Sequence, residues 1–548
     1  MTLEHLINRR GFVLSLLACL CFFVFFNSIH NDFALDDHYH IHQNEIVKEL
    51  SRAGELFLSP TWPGNLYRPL SELTFTLNYY WGAENPSGYH IFNICLHILV
   101  CWLVFWMIKR ISGVEIAFWT ALIFAVHPLH VEAVTGIVDR TELLAALFLL
   151  AGIYFVERRY VRDRKIYTAL SFLFFLCALM SKESALSACA LAPLFFIAQQ
   201  PNKSGLKSAA TSTILVFLAG ITYLFFRFHA LGAVLRSEDR PFYVVNPLVA
   251  LELPERIFNG IVLLGHYIRL SIIPWPLTTD YSYSKLKLVT PVNIYEHALE
   301  FGNLLLILSL ISIILWSIFR RDQLKLYFFG LWFVFSFIIT SNIFFVTGTI
   351  FAERLAYLGS IGICGLIALT LRNFLSRRLA VSAGVSICII FSLLSVKQNT
   401  FWLSNEVLQA HALEVSPESA KANQNYAIAC FNQGKLSEAE FFLKRALKIY
   451  PQYADAAYRL SLLYNEMRKN FLVEHWLKVA LEIEPRHALA LRNLCLLYYQ
   501  TQRSALADQL AKSALERWPE DPQIKAVVSE LKELRAHFIT FNAQSNKD

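Results

Sequence analysis

Charge is scarce in this chain of 548 residues: Asp, Glu, Lys and Arg make up 17% of it, against 55% hydrophobic residues and a mean hydropathy of +0.43. That excludes a soluble domain of average composition, in which about a quarter of the residues are charged. Also missing are a P-loop, a nucleophile elbow, a zincin motif and a dinucleotide fingerprint, which argues against soluble-cofactor chemistry. Paired cysteine spacings are absent too. Cys19, Cys21, Cys95, Cys101, Cys177, Cys189, Cys364 and Cys388 lie within apolar runs, with Cys430 and Cys495 in a helical repeat region, so they read as small apolar fillers. The net charge of +7 is no nucleic-acid signal. Residues 400–548 hold 18 Lys and Arg against 17 Asp and Glu, and the excess elsewhere, 31 against 25, clusters in short loops between apolar runs. Such clustering is a topology signal.

What is abundant is apolar sequence in lengths that suit a bilayer, since ~20 helical residues cross ~30 Å of hydrocarbon. Gly11 to Ile29 is the first such run, preceded by Arg9 and Arg10 and followed by no small-x-small cleavage site; it is expected to stay as a helix. Further spans are expected at about 90–108, 112–127, 141–156, 166–180, 184–199, 209–228, 300–318, 326–345, 355–372 and 379–396, which makes about eleven. The basic loops Lys109/Arg110, 157–165, Lys203/Lys207, Arg320/Arg321 and Arg377/Arg378 then all fall on the cytoplasmic side. Ile257 to Ile273 contains His266 and Arg269 and is assigned as a re-entrant or interfacial helix.

Against this background the polar residues stand out. Ala34 to Glu45 places Asp36, Asp37 and three histidines directly after the first run, opening an acidic outer loop over 30–89. Two adjacent carboxylates repel when both are ionised, so one keeps a proton or a cation or metal stabilises the pair; a general base or a metal ligand uses that environment. His127, His130, Glu132, Asp139, Arg140, Glu142, Lys182, Glu183, Arg227, His229, Glu238 to Arg240, Asp280, Glu353 and Arg354 also lie at outer ends of spans. Ionisable groups converging on one face of a membrane bundle mark a reaction centre or substrate path. Singly each has a plainer reading: Arg140 snorkelling, Lys182/Glu183 a neutralised turn, His127 a capped helix end beside Pro128. Together they suit transfer from a phosphorylated lipid, with Arg140 and Lys182 holding the phosphate, a carboxylate taking a hydroxyl proton and apolar helices forming a groove for the lipid tail.

Beyond Val396 the composition turns soluble and helical. Pro417, Pro451, Pro485 and Pro519 recur every 34 residues, with Ala412, Ala446, Ala480 and Ala514 in step, the period of tetratricopeptide repeats. The expected division is a membrane domain over 1–398 and a repeat domain over 399–541. The repeat domain comprises a partial repeat at 401–417, full repeats at 420–453, 454–487 and 488–521, and a capping helix at 522–541, with a tail at 542–548. Such an array presents a concave surface for peptides, or serves as a spacer or assembly surface. An odd number of spans puts it outside, with the acidic loop.

The chain resembles the transmembrane and tetratricopeptide-repeat-containing O-mannosyltransferases, of the GT-C superfamily of lipid-linked sugar transferases. The resemblance rests on FALDDHYHIHQN at 33–44, HPLHVEAVTGIVDRTELLA at 127–145, SKES at 181–184, FAERLAYLGSIG at 351–362 and the repeats. The chain departs from the family's pattern at Asp139 and Ala185, where glycine is usual, and at Gly359, where proline is usual. The resemblance implies an all-α, GT-C-like polytopic membrane bundle followed by a repeat solenoid. It also implies an inverting transferase that moves a sugar from polyprenyl or dolichyl phosphate to a protein hydroxyl outside the cytoplasm, with the base in Asp36/Asp37 and the donor phosphate near Arg140 and Lys182. His127, His130, Glu132, Glu183, Glu353 and Arg354 are taken as its supporting residues. A divalent metal at Asp36/Asp37 is left open, as is the membrane, a bacterial inner membrane or an endoplasmic reticulum. Two other readings stand beside it: a non-catalytic scaffold, and a transferase acting on a glycolipid or envelope glycan.

Overall fold

The computed structural model of the chain describes residues 3–61, 66–232, 242–318 and 324–545. Glu238 to Arg240 and the basic pair Arg320/Arg321 lie outside the described residues. Among those described, the chain is helical and forms no strand beyond an isolated bridge between Thr61 and Leu66. It divides into two compact units, Met1–Tyr281 with Leu286–His411, and Ser282–Lys285 with Ala412–Asp548.

In the first unit a helix occupies each apolar run expected to be a span, because in hydrocarbon the backbone amides must be satisfied within their own segment. Fewer of these helices are long enough to cross alone. Arg10–His30, Pro86–Ser112, Lys203–Leu231, Ala298–Ser317 and Arg377–Phe401 are sufficiently long and apolar, or six spans if Val114–Ala125 and Pro128–Thr135 count as one. Among the described residues, Ile166–Ser181, Glu183–Gln199, Lys325–Ser336 and Ser360–Phe374 are apolar but shorter, and Arg140–Arg162 has the length but is not in the apolar set. The pair Val114–Ala125 and Pro128–Thr135 is bent by 54°, and Pro128, which lacks a backbone N–H and crowds the preceding turn, stands at the bend. Leu253–Ile272 is a 20-residue helix outside that set.

The interval 30–89 is not all loop. Arg68-Pro69 opens a 14-residue helix, Pro69–Gly82, with Pro at its first turn and Glu72 beside it, a combination that favours a helix start. This helix is the keystone of the outer end. Glu72 accepts hydrogen bonds from Asn44 and pairs with His40, Ser71 donates to the carbonyl of Ser181, and Thr74 and Asn78 accept from Arg140.

In the second unit, antiparallel pairs follow the 34-residue period: Ala420–Asn432 with Leu436–Ile449, Ala454–Glu466 with Asn470–Ile483, and Ala488–Gln500 with Ser504–Arg517, closed by Pro522–Ser545. Ala412, Ala446, Ala480 and Ala514 are all buried. Tyr464 donates to Glu440 and Tyr498 to Glu474, the same contact one repeat apart. Each tight turn between paired helices carries one left-handed residue, Gly434 (φ 74°), then Arg468 (φ 58°), then Gln502 (φ 58°). Only the first repeat has the residue that tolerates this conformation freely. Arg468→Gly and Gln502→Gly should therefore each stabilise the unit by about 0.5–1 kcal/mol, the relief of strain exceeding the added unfolded-chain entropy; thermal unfolding of the repeat transition checks this, with an upward shift expected.

Candidate functional site

The acidic loop is held rigidly by distant segments. The Asn31 amide donates to the carbonyl of Asn399, Asp32 N–H to the carbonyl of Leu403, and Leu35 N–H to the side chain of Asn405 (3.1, 3.0 and 3.3 Å). Asn399 in turn donates to the carbonyl of Val24 and accepts from Thr135. Leu35, immediately before the acidic pair, sits at φ 53°, a strained backbone of the kind found where surrounding structure fixes a functional side chain. A single turn of π-helix, His38–His42, follows it.

The two carboxylates are not equivalent. Asp37 is 3% exposed and both of its oxygens accept backbone N–H groups, from Ala34 at 3.0 Å and from Val138 at 2.9 Å. Burial pushes it up to about 7, against these two bonds. Asp37 thus joins the acidic loop to the loop before Arg140. Asp36 points outward and is exposed. A divalent ion at Asp36/Asp37 would have to share the buried Asp37 carboxylate with the N–H groups of Ala34 and Val138.

A second loop, Gly136 to Asp139, meets Arg354. Glu132 accepts the backbone N–H of Arg354 at 2.8 Å and pairs with its guanidinium, while Asp139 lies 3.2 Å from the Arg354 Nε. Burial pushes Asp139 up to about 7, with Arg354 opposing. Burial works against the Arg354 charge, but Asp139, Glu132, Asp36 and Glu142 together raise its pKa. Gly136 leaves room for this, since a Cβ there would lie 2.7 Å from the Asp139 carboxylate.

Lys182 follows the helix Ile166–Ser181 and pairs with Glu142 at 2.6 Å. Burial lowers its pKa, Glu142 opposes this, and the charges of Arg68 and Arg354 lower it further. Glu183 is held by Arg68 at 2.8 Å and by Arg227 at 3.4 Å. Three cations, Arg68, Lys182 and Arg354, therefore influence one another across the buried Glu142, and Asp36 stands near enough to Arg354 to stabilise its charge. Their side chains are 20%, 9% and 27% exposed. Glu353 faces the other way: one of its oxygens accepts the N–H of Thr278 and the hydroxyl of Tyr281, both at 2.6 Å, and burial raises its pKa well above the carboxylate range.

Three further expected site residues are placed elsewhere. Arg140 is wholly buried. Its guanidinium donates to Asn93 (2.8 Å), Asn78 (2.6 Å), Thr74 and the carbonyl of Tyr89 (3.1 Å), between the rings of Phe75 and Phe92 at 4.7 Å. It is an internal fastener, with its donors spent on the chain and no face open to a phosphate. His127 and His130 are also fully buried. His127 donates from Nε2 to the carbonyl of Ser271 and accepts the N–H of Leu129, while His130 bonds Ser360 and packs against Phe124 and Tyr357. Both histidines are satisfied within the protein, by these hydrogen bonds and by packing. Asp139, conspicuous in the sequence beside Arg140, pairs with Arg354, and Arg68, which the sequence did not single out, joins the same group of charges through Glu183; the start signature RPLSE was the available signal for Arg68.

A family model described as "Tetratricopeptide repeat" matches residues 405–466. Human Protein O-mannosyl-transferase TMTC1 is 29% identical over 480 residues, covering 78% of this chain and 54% of that protein. Protein O-mannosyl-transferase Tmtc3 of Drosophila melanogaster is 28% identical, over 80% of this chain and 55% of that one, and mouse TMTC4 is 27% identical, over 78% and 64%. The chain thus spans little more than half the length of the first curated relatives it matches. Among solved structures, the Archaeoglobus fulgidus oligosaccharyltransferase tethered with an acceptor peptide aligns with a TM-score of 0.39 at 12% identity, over 76% of this chain and 58% of that one. The chain is thus similar in sequence to the transmembrane and tetratricopeptide-repeat-containing O-mannosyltransferases over more than three quarters of its length, and its repeats match the tetratricopeptide family model.

Proposed function

We propose that the chain is a membrane glycosyltransferase that moves a sugar, mannose or another hexose, from a polyprenyl or dolichyl phosphate to Ser or Thr hydroxyls of exported proteins. The observation that carries this is the exposed carboxylate of Asp36 on a clamped loop near Arg354, whose charge in turn acts on Lys182 together with that of Arg68. The acceptor oxygen attacks the anomeric carbon, its proton passes to Asp36, and the carbon–oxygen bond to phosphate breaks with its electron pair leaving on the lipid phosphate. One displacement inverts the anomeric centre. The cations stabilise the phosphate as it departs, their contribution enlarged by the water-poor surroundings. Asp37, Glu132 and Asp139 act as positioning residues, fixing the loop and Arg354. The repeats supply the surface for the acceptor polypeptide. Mass spectrometry of exported proteins with and without the chain tests the proposal: a hexose on Ser or Thr should be lost in its absence.

Lys182→Ala should weaken donor binding about tenfold to a hundredfold, since a charge-assisted contact contributes ~1.5–3 kcal/mol. Titration of the purified protein with a polyprenyl-phosphate sugar measures this; unchanged affinity would remove Lys182 from the phosphate site.

The proposed orientation places the acidic loop and the repeats outside the cytoplasm. A single cysteine introduced at Ser437 should react with an impermeant reagent added outside intact cells, and one at Arg162 only after the membrane is opened. Labelling of both from one side would make the helix Leu253–Ile272 a crossing.

A further inference from the structure

Arg140–Arg162 and Pro86–Ser112 both run away from the acidic loop. From Arg140 to Arg158 and from Asn93 to Lys109 the helical rise amounts to about 27 and 24 Å, most of a hydrocarbon core. At that far end the structure has a cavity of about 560 Å³ between these helices and the first one. Leu14, Leu99, Trp102, Leu103 and Leu147 form its apolar walls, and Trp102 donates to the carbonyl of Leu14 at 3.0 Å, joining two of them.

Its rim is strongly basic. Arg10, Lys109, Arg110 and Arg158 line it against a single carboxylate, Glu157. Glu157 is already taken, accepting from Arg110 at 2.5 Å and from Gln199 at 2.7 Å. Among the described residues Arg10, Lys109 and Arg158 have no carboxylate partner. The Arg158 Nε is shielded from solvent and makes no hydrogen bond, its guanidinium lying 4.7 Å over the ring of Tyr154. Three unpaired cations around an apolar cleft, at the membrane end where the basic loops gather, complement an anion carrying hydrocarbon.

We infer that this cavity binds an anionic glycerophospholipid, with its phosphate among Arg10, Lys109 and Arg158 and an acyl chain along Leu14, Leu99 and Leu103. It is separate from any donor lipid phosphate, which must reach Asp36 at the opposite end. The inference does not depend on the transfer reaction.

The test reconstitutes the full chain into nanodiscs of phosphatidylcholine with or without phosphatidylglycerol and counts lipids retained on detergent extraction by native mass spectrometry. Wild type should retain phosphatidylglycerol over phosphatidylcholine by about tenfold, and Arg158→Gln with Lys109→Gln should abolish the preference. Arg164→Gln, which removes a cation outside the cavity, should keep it. Arg10→Gln, exposed at its helix start, gives a partial loss and covers the case in which the double variant does not fold. Equal retention of the two lipids by wild type, an unchanged preference in the double and Arg10 variants, or an equal loss in Arg164→Gln would overturn the inference. So would displacement by inorganic phosphate alone, which would make the site one for free phosphate.

Discussion

Asp36→Asn should lower sugar transfer by about 10²- to 10⁴-fold, the range expected for loss of a general base, while the affinity for the lipid-linked donor stays within about twofold. The carboxylate acts on the acceptor's proton in the transition state, so its removal leaves ground-state donor contacts in place. The substitution is nearly isosteric at an exposed position, and thermal stability should be unchanged. Asp37→Asn behaves differently. Both Asp37 oxygens accept backbone N–H groups, and an amide must present an NH₂ to one of them, opposing donor to donor. Lower stability should therefore accompany its lower rate. Single-turnover assays with donor titration distinguish the two. An Asp36→Asn protein that transfers at the wild-type rate would move the base elsewhere, and one that loses donor binding would give Asp36 a part in holding the donor.

What could be read from the sequence was whatever contrasted with its surroundings. The 34-residue recurrence of prolines and alanines announced the repeats because their packing recurs identically, as the paired contacts Tyr464–Glu440 and Tyr498–Glu474 show. Asp36, Lys182, Glu132 and Arg354 were conspicuous because ionisable groups in an apolar chain carry a solvation cost. That cost, however, can be met in two ways, by a substrate or by the protein itself, and one-dimensional sequence does not distinguish them. Arg140 is satisfied by Asn78, Tyr89 and Asn93, which lie 47 to 62 residues away, and His127 by a carbonyl 144 residues away. The same limit hid the different environments of Asp36 and Asp37, since neighbours in a chain differ in exposure only once the loop is folded onto Val138. An apolar run shows where a helix forms, and breakers such as Pro128 were legible as its ends, whereas the 54° bend at that proline appears only in the fold.

Arg140→Ala is expected to destabilise the fold by about 3 kcal/mol or more, rather than to weaken donor binding selectively. Removing the guanidinium leaves the side-chain oxygens of Asn93 and Asn78 and the carbonyl of Tyr89 buried without a donor, each such group costing ~1–3 kcal/mol, and opens a cavity between Phe75 and Phe92. Arg140→Lys should recover only part of the loss, because one ammonium cannot reach acceptors arranged around a planar fork. The readouts are the thermal midpoint in detergent and the donor affinity of the fraction that remains folded. A lowered midpoint with near-normal affinity in that fraction would establish Arg140 as the fastener that seats the helix Pro69–Gly82 against the start of Arg140–Arg162. An unchanged midpoint with a tenfold or greater loss of affinity would return Arg140 to the phosphate site and require its socket to open when the donor binds.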